Sequence, residues 1–215
     1  MKYKLAIFDM DGTILNTLED LADSMNYALK IHGMPERTID EVRRFVGNGI
    51  RKLVERAVPE DTPLADVDRV FETFTVYYKD HCAIKTRPYD GILEVLKQLK
   101  DMGVKMAVVS NKADFAVQSL CQDYFPGLFD FAVGDREGQR RKPAPDSVNA
   151  VLEKFAMDRK DAVYIGDSDV DFETSQNANM DVIMVGWGFR DEDFILSKGA
   201  KFVIHQPEEI LSRIL

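Results

Sequence analysis

Short, mostly apolar runs recur along this chain, and several end on a polar cluster. The first is Leu5-Ala6-Ile7-Phe8, which stops at Asp9. Val104 to Ser110, Phe129 to Val133, Ala162 to Asp167, Val182 to Val185 and Phe202 to Ile204 repeat the pattern. Continuous apolar runs of this length suit strands buried on both faces of a parallel sheet. Helices are predicted between them: Ile92 to Met102, with Leu93, Leu96 and Leu99 inward and Gly103 as its stop; Asp114 to Phe125; Asp146 to Phe155; a short one closing over Thr174 to Ala178; and Pro207 to Leu215. One stretch departs from the alternation. From residue 16 to 82 only helical spacing is found, over Thr17–His32, Thr38–Val46, Ile50–Val58 and Leu64–His81. Gly33, Pro35, Gly47-Asn48-Gly49, Pro59 and Pro63 punctuate it. Strand–helix alternation predicts an α/β fold, a doubly wound parallel sheet with helices on both faces. The helical stretch is too long for an ordinary crossover. It predicts an inserted alpha-helical cap domain, 16–82, on a core built from 1–15 and 83–215.

Composition narrows the classes. The chain has 215 residues, 45% of them hydrophobic, enough for one large core plus a small insert. No apolar run reaches the length of a membrane span, so no membrane partner is expected. Met1-Lys2-Tyr3-Lys4 enters a strand at once, so no secretory leader is expected. Cys82 and Cys121 are far apart and form no metal-type pair; they read as reduced thiols of a cytoplasmic protein. A net charge of -9 argues against nucleic acid as a partner, because such binding needs a basic footprint. An anionic small-molecule substrate would need cations placed locally. A monomer and a homodimer fit this composition equally.

Ligands of open parallel sheets sit beyond the carboxyl ends of the strands. After the first strand stand Asp9, Asp11, Gly12 and Thr13. After the second comes Ser110-Asn111-Lys112. Beyond the third lies Lys142-Pro143, and after the fourth Gly166-Asp167-Ser168-Asp169-Val170-Asp171. Asp9 and Asp11, two apart on an extended chain, aim into one space, which is unfavourable without a cation or a shared proton. A calcium-binding EF-hand loop is excluded, since its sixth and twelfth positions, glycine and glutamate, are here Ile14 and Asp20. Carboxylates, a hydroxyl and a lysine together suit phosphoryl transfer assisted by a divalent cation. Mg2+ prefers oxygen ligands and keeps several waters, so Asp9, Asp167 and a backbone carbonyl suffice. Lys142 would neutralise the phosphate and hold Asp9 ionised. Ser110 and the amides near Asp11 would donate to phosphate oxygens.

Taken in order, Asp9-Met10-Asp11-Gly12-Thr13, Ser110, Lys142 and Gly166 to Asp171 resemble the four motifs of the haloacid dehalogenase superfamily, whose core is Rossmann-like. The resemblance implies that Asp9 is the nucleophile, forming an aspartyl-phosphate. It implies that Asp11 is the general acid/base and binds Mg2+ through its backbone carbonyl. Ser110 resembles the phosphate-binding hydroxyl and Lys142 the motif-three lysine. Asp167 resembles a metal ligand, and Asp171 a ligand or the partner of one. The insert resembles the family's helical cap of the first type.

The cap has to choose the substrate. Gly47-Asn48-Gly49 at a helix start offers amides to an anion, and Arg51 and Lys52 could reach a carboxylate. This segment, with Asp9 to Ala22, is similar to phosphoglycolate phosphatases. Thr13, Gly47, Asn48, Gly49, Arg51 and Asn111 are accordingly the expected substrate contacts, and 2-phosphoglycolate is the expected phosphate ester. An isomerase similar to beta-phosphoglucomutase, or a pyrophosphatase or nucleotidase of the same fold, would use the same core. A phospho-accepting receiver module also joins acids, a hydroxyl and a lysine, but would carry neither Asp-x-Asp-Gly-Thr on its first strand nor a large insert. His32, His81 and His205 have no ligand-like spacing, and Trp187 is assigned to packing.

Overall fold

A computed structural model describes residues 1–215. Strand β1 (Leu5–Phe8) is fully buried and lies between β4 (Lys105–Ala113) and β6 (Ala162–Gly166), with Phe8 in register with Val108 and Ile165. Adding β5 (Phe131–Asp135), β7 (Asp181–Val185) and β8 (Val203–Ile204) gives a six-stranded sheet, order β5-β4-β1-β6-β7-β8, every pair parallel. The chain builds outward from β1 on one side and then crosses to the other. The ends of β1, β4 and β6 therefore flank the point where strand order reverses, the usual place for a ligand.

Alternation along β1 divides the core. Ala6 and Phe8 join an apolar cluster with helices α5 (Ile92–Asp101), α6 (Asp114–Tyr124) and α10 (Glu209–Ile214). Leu5 and Ile7 join a second cluster on the other face, with Val148, Val151 and Leu152 of α7 (Asp146–Lys154). With helices on both faces, every strand side chain can be apolar, which explains the unbroken runs.

Helices α1 (Leu18–Ile31), α2 (Ile39–Phe45), α3 (Ile50–Ala57) and α4 (Leu64–His81) bury a separate cluster that includes Met25, Leu29, Val54, Val70 and Phe74. Thr38 and Glu41 close a reciprocal capping box at the start of α2. Two strand residues on each crossing, β2 (Leu15–Asn16) and β3 (Arg87–Pro88), pair antiparallel where the chain leaves the sheet and returns. Buried Asp20 clips this junction, accepting from the amides of Lys85 and Thr86 at 2.8–3.0 Å.

Four features differ from the sequence expectation. The two-residue strands β2 and β3 are too short to leave a period. Helix α8 (Asp169–Asn177) starts earlier than the apolar pattern suggests, because Ser168 and Asp171 form a capping box. Strand β4 continues past Ser110 to Ala113, and helix α9 (Glu192–Ser197) follows β7 without an apolar stripe long enough to announce it.

Candidate active site

Asp9 follows β1, Ser110 lies within the carboxyl-terminal part of β4, and Asp167 follows β6, so adjacent strands deliver all three to one cavity. Asp9, Asp167 and Asp171 are buried, and one oxygen from each falls within 4.8 Å of the others. Lys142, its side chain only 3% exposed, sits 2.8 Å from Asp9 Oδ1 and 2.8 Å from Asp171 Oδ1. It also donates to Tyr164 Oη at 3.1 Å. Two of the three acids, Asp9 and Asp171, therefore share one close cation.

Each acid is held differently. Asp167 accepts from Thr13 Oγ1 at 3.1 Å and from the Phe189 amide at 2.7 Å. The backbone leaves room for it: a methyl group at Gly12 or Gly188 would collide with the Asp167 carboxylate, and Gly12 has φ +88°, a conformation glycine tolerates. Asp171 has both oxygens committed, Oδ1 to Lys142 and Tyr164, Oδ2 to the Ser168 amide and hydroxyl. Asp9 is the exception. Its Oδ1 is buried and, although Lys142 is close, no donor is aligned on it as a hydrogen bond.

Burial, then the neighbouring Asp171 charge, pushes the Asp9 carboxyl well above the ordinary range, while Lys142 opposes the shift. The same two causes push Asp167 up to about 7 against the Phe189 amide and Thr13. Burial works against the Lys142 ammonium, yet Asp171 and Asp9 hold it above its usual value. A site with surplus buried acid, oxygen donors only, and one carboxylate oxygen without a hydrogen bond fits a hard divalent cation.

Asp11 lies apart from the three-acid cluster. Its Oδ1 accepts from Thr17 at 2.7 Å and from Lys112 at 2.8 Å. Ser110 lines the cavity and accepts from the Lys112 amide, leaving its own hydroxyl proton free to donate. Asn111 also lines it, with Nδ2 donating to the carbonyls of Gly47 and Lys142 at 3.1 Å each. The side-chain oxygen of Asn111 accepts from the Lys142 amide, fixing the loop that carries the lysine.

The expected substrate contacts divide. Gly47 and Gly49 line the cavity with Asn111. Thr13 does not: it is fully buried and spent on Asp167, so its part is to orient that carboxylate. Asn48 turns its side-chain oxygen to Arg56 and is off the cavity wall. Arg51 is also off the wall, paired with Glu55 and Asp68 on the helical unit's own surface. The correction has a simple cause. Arg51 follows the Gly-x-Gly turn directly, but its helical position points it along the unit toward Glu55, one turn on, rather than inward.

Three residues without a role in the sequence reading prove central. Lys112, 3% exposed in its side chain, bridges Asp11 to Tyr78 Oη at 2.5 Å. Tyr78 belongs to α4, where it reads as one more member of the apolar stripe. Arg190 bonds Asp169, the Arg43 carbonyl and the Val46 carbonyl. Lys112 had a sequence signal: it stands two residues beyond Ser110, so on an extended strand both face the same side. Trp187 packs on the core and donates Nε1–H to the Thr13 carbonyl, as a packing residue would.

Comparison with known proteins places these motifs in a family. Residues 6–185 match the haloacid dehalogenase-like hydrolase family. A phosphoglycolate phosphatase of Agrobacterium fabrum is 32% identical over 87% of this chain and 82% of its own length. One from Aquifex aeolicus is 30% identical over 93% of this chain and 95% of its own. A solved structure from Lactobacillus delbrueckii subsp. bulgaricus, provisionally assigned as a phosphoglycolate phosphatase, is 42% identical, with a TM-score of 0.95 over 100% of this chain and 99% of its own.

Proposed function

We propose that this chain, which belongs to the haloacid dehalogenase-like hydrolase family, is a magnesium-dependent phosphatase whose preferred substrate is 2-phosphoglycolate. The observation that carries the proposal is Asp9: a carboxylate without an aligned hydrogen bond on Oδ1, in a cavity that also holds Lys142, Ser110 and the Asp11 carboxyl. The names of its relatives support the substrate. So does the helical unit, residues 16–82, which we assign as a cap because its Gly47 and Gly49 roof the cavity.

In this mechanism an Asp9 oxygen attacks phosphorus and the bond from phosphorus to the ester oxygen breaks. Asp11 gives its proton to the departing oxygen, which leaves as the hydroxyl of glycolate. Asp11, now a carboxylate, takes a proton from water as that water attacks the phosphoaspartate. Inorganic phosphate departs and Asp9 is regenerated. Lys142 and the Ser110 hydroxyl stabilise the phosphoryl oxygens throughout. Magnesium, held by Asp9, Asp167 and the Asp11 carbonyl, would supply the positive charge that lets a carboxylate approach a phosphate. Asp171 serves best as the fixed counter-charge of Lys142, since both its oxygens are occupied. Cys82 and Cys121 are free thiols, which suits a reducing, cytoplasmic setting. No helix is long and apolar enough to cross a membrane.

Phosphate release across a panel of esters tests the reading. The acid 2-phosphoglycolate should lead, and a preference for a neutral sugar phosphate would remove that substrate. Asp9→Asn should abolish turnover while far-ultraviolet dichroism and the urea midpoint show a folded chain; turnover retained in that variant would refute the nucleophile.

A further inference from the structure

Lys112 and Tyr78 are not needed by the phosphoryl-transfer steps above, yet both are buried in the wall of the same cavity. A buried lysine is costly unless it is bonded, so its donors are worth counting. Lys142 gives one N–H to Asp171 and one to Tyr164, and its remaining charge is met by Asp9 at 2.8 Å as an ion pair without an aligned hydrogen bond. Each nitrogen of Arg190 is engaged, with Asp169, Arg43 and Val46. Lys112 gives one N–H to Asp11 and one to Tyr78, which leaves a third. Tyr78 Oη accepts from Lys112 and donates to no acceptor, although the residue is only 2% exposed. Two neighbouring donors, one of them charged, thus stand at the cavity without partners. A carboxylate, with two oxygens and a full negative charge, matches that pair.

Position adds to the match. Lys112 Nζ is 2.8 Å from the oxygen of Asp11, the group assigned to protonate the ester oxygen. A carboxylate separated from that ester oxygen by a single carbon would lie beside Lys112. We propose that Lys112 Nζ and Tyr78 Oη form the receptor for a carboxylate carried by the leaving group, selecting phosphate esters of 2-hydroxy acids over neutral esters. One half of the receptor comes from the core and the other from the cap, so only the closed molecule has it complete. This role takes the place first given to Arg51. It rests on the phosphatase reading of the site.

The test compares 2-phosphoglycolate with 2-hydroxyethyl phosphate, which carries a neutral alcohol in place of the carboxylate. The wild type, Lys112→Met and Tyr78→Phe are assayed on both. Any change in Asp11 lowers both rates together, so the ratio of the two kcat/KM values isolates the receptor. That ratio should fall about 10- to 100-fold in Lys112→Met, as for a lost charged hydrogen bond, and about 5- to 10-fold in Tyr78→Phe. Lys112→Arg should restore part of it. A ratio unchanged in both variants, with turnover persisting, overturns the receptor and leaves Lys112 as a positioning group for Asp11. Calorimetry of 2-phosphoglycolate binding to Asp9→Asn, with and without Lys112→Met, separates the two claims. If neither ester is hydrolysed by the wild type but binding still weakens about 10-fold or more without Lys112, the phosphatase reading fails and the receptor stands. If binding is indifferent to Lys112, the receptor fails regardless of turnover.

Discussion

Replacing Lys142 by methionine removes the cation paired with Asp9 and Asp171 while keeping most of the side-chain volume. In the wild type its ammonium lies 2.8 Å from both Asp9 and Asp171, in surroundings where the lysine side chain is 3% exposed. Removing one member of a buried charge pair costs about 3–5 kcal/mol, because the remaining charge is stranded. Asp171 is the residue stranded here; it keeps hydrogen bonds from Tyr164 and Ser168 but loses its counter-charge. The sign with pH is fixed. Burial and Asp171 already raise the Asp9 carboxyl, and Lys142 is what opposes them. Without it the folded state favours protonated acids still more. Groups raised in this way contribute their stability below the unfolded carboxylate pKa, about 4, and lose it as pH rises through the folded value. The variant should therefore be about 3–5 kcal/mol less stable than wild type at about pH 8 and less than half as much at about pH 5. Urea unfolding in chelator at the two pH values measures both. A loss under about 1 kcal/mol at the higher pH, within the range of an ordinary surface substitution, would refute the charge argument. So would an equal loss at both.

Magnesium should raise the melting temperature more at pH 8 than at pH 5, because the ion must displace protons from Asp9 and from Asp167, which is pushed up to about 7 by burial and then Asp171; equal gains in thermal melts at the two pH values would contradict this. Arg190→Ala removes bonds to Asp169, Arg43 and Val46 and should speed amide exchange through Arg43–Gly49 about tenfold or more, with kcat/KM for phosphoglycolate reduced. Exchange unchanged there would mean that Arg190 does not latch the cap. Asp20→Ala strands the amides of Lys85 and Thr86 and should cost about 1–3 kcal/mol in urea unfolding, with the junction between sheet and cap exchanging first; a stability within error of wild type would count against the clip.

The sheet was readable because its strands are buried on both faces, so Leu5–Phe8 and Ala162–Gly166 carry no polar residue to break the run. The candidate chemistry was readable for a related reason. Polar residues that interrupt an apolar chain at strand ends stand out, and Asp9, Ser110, Lys142 and Asp167 do gather at one cavity. What stayed hidden depends on pairs remote in sequence. Tyr78 looks like a core aromatic until Lys112, 34 positions away, is found against its hydroxyl. Thr13 looks like a free hydroxyl at the motif's end until Asp167 takes it. Arg51 looks available for substrate because nothing local reveals that Asp68, 17 residues on, neutralises it. In each case the side chain's identity was plain and its partner was not.

Cap and core meet through polar contacts that belong to the site itself. Asn111 reaches Gly47, Arg190 reaches Arg43 and Val46, Arg43 reaches Phe189 and Asp191, and Lys112 reaches Tyr78. The cavity they border has a volume of about 50 Å³, far below the roughly 300–1,000 Å³ of ordinary ligand pockets, and is partly open to solvent. A phosphate ester fills it only if some of these bonds give way. Each exchanges with water on opening, so its net worth is about 0.5–1.5 kcal/mol, and the six together hold the cap by about 3–9 kcal/mol. Even at the low end of that range the open state is populated below about 1%. A ligand that restores the seam from inside, with phosphate on Lys142 and Ser110 and carboxylate on Lys112 and Tyr78, would shift the balance toward closure. A neutral ester would restore only the phosphate contacts, to Lys142 and Ser110. Discrimination between esters would then arise at closure as well as in the chemical step, since the same residues that recognise the acid also join the two halves of the molecule.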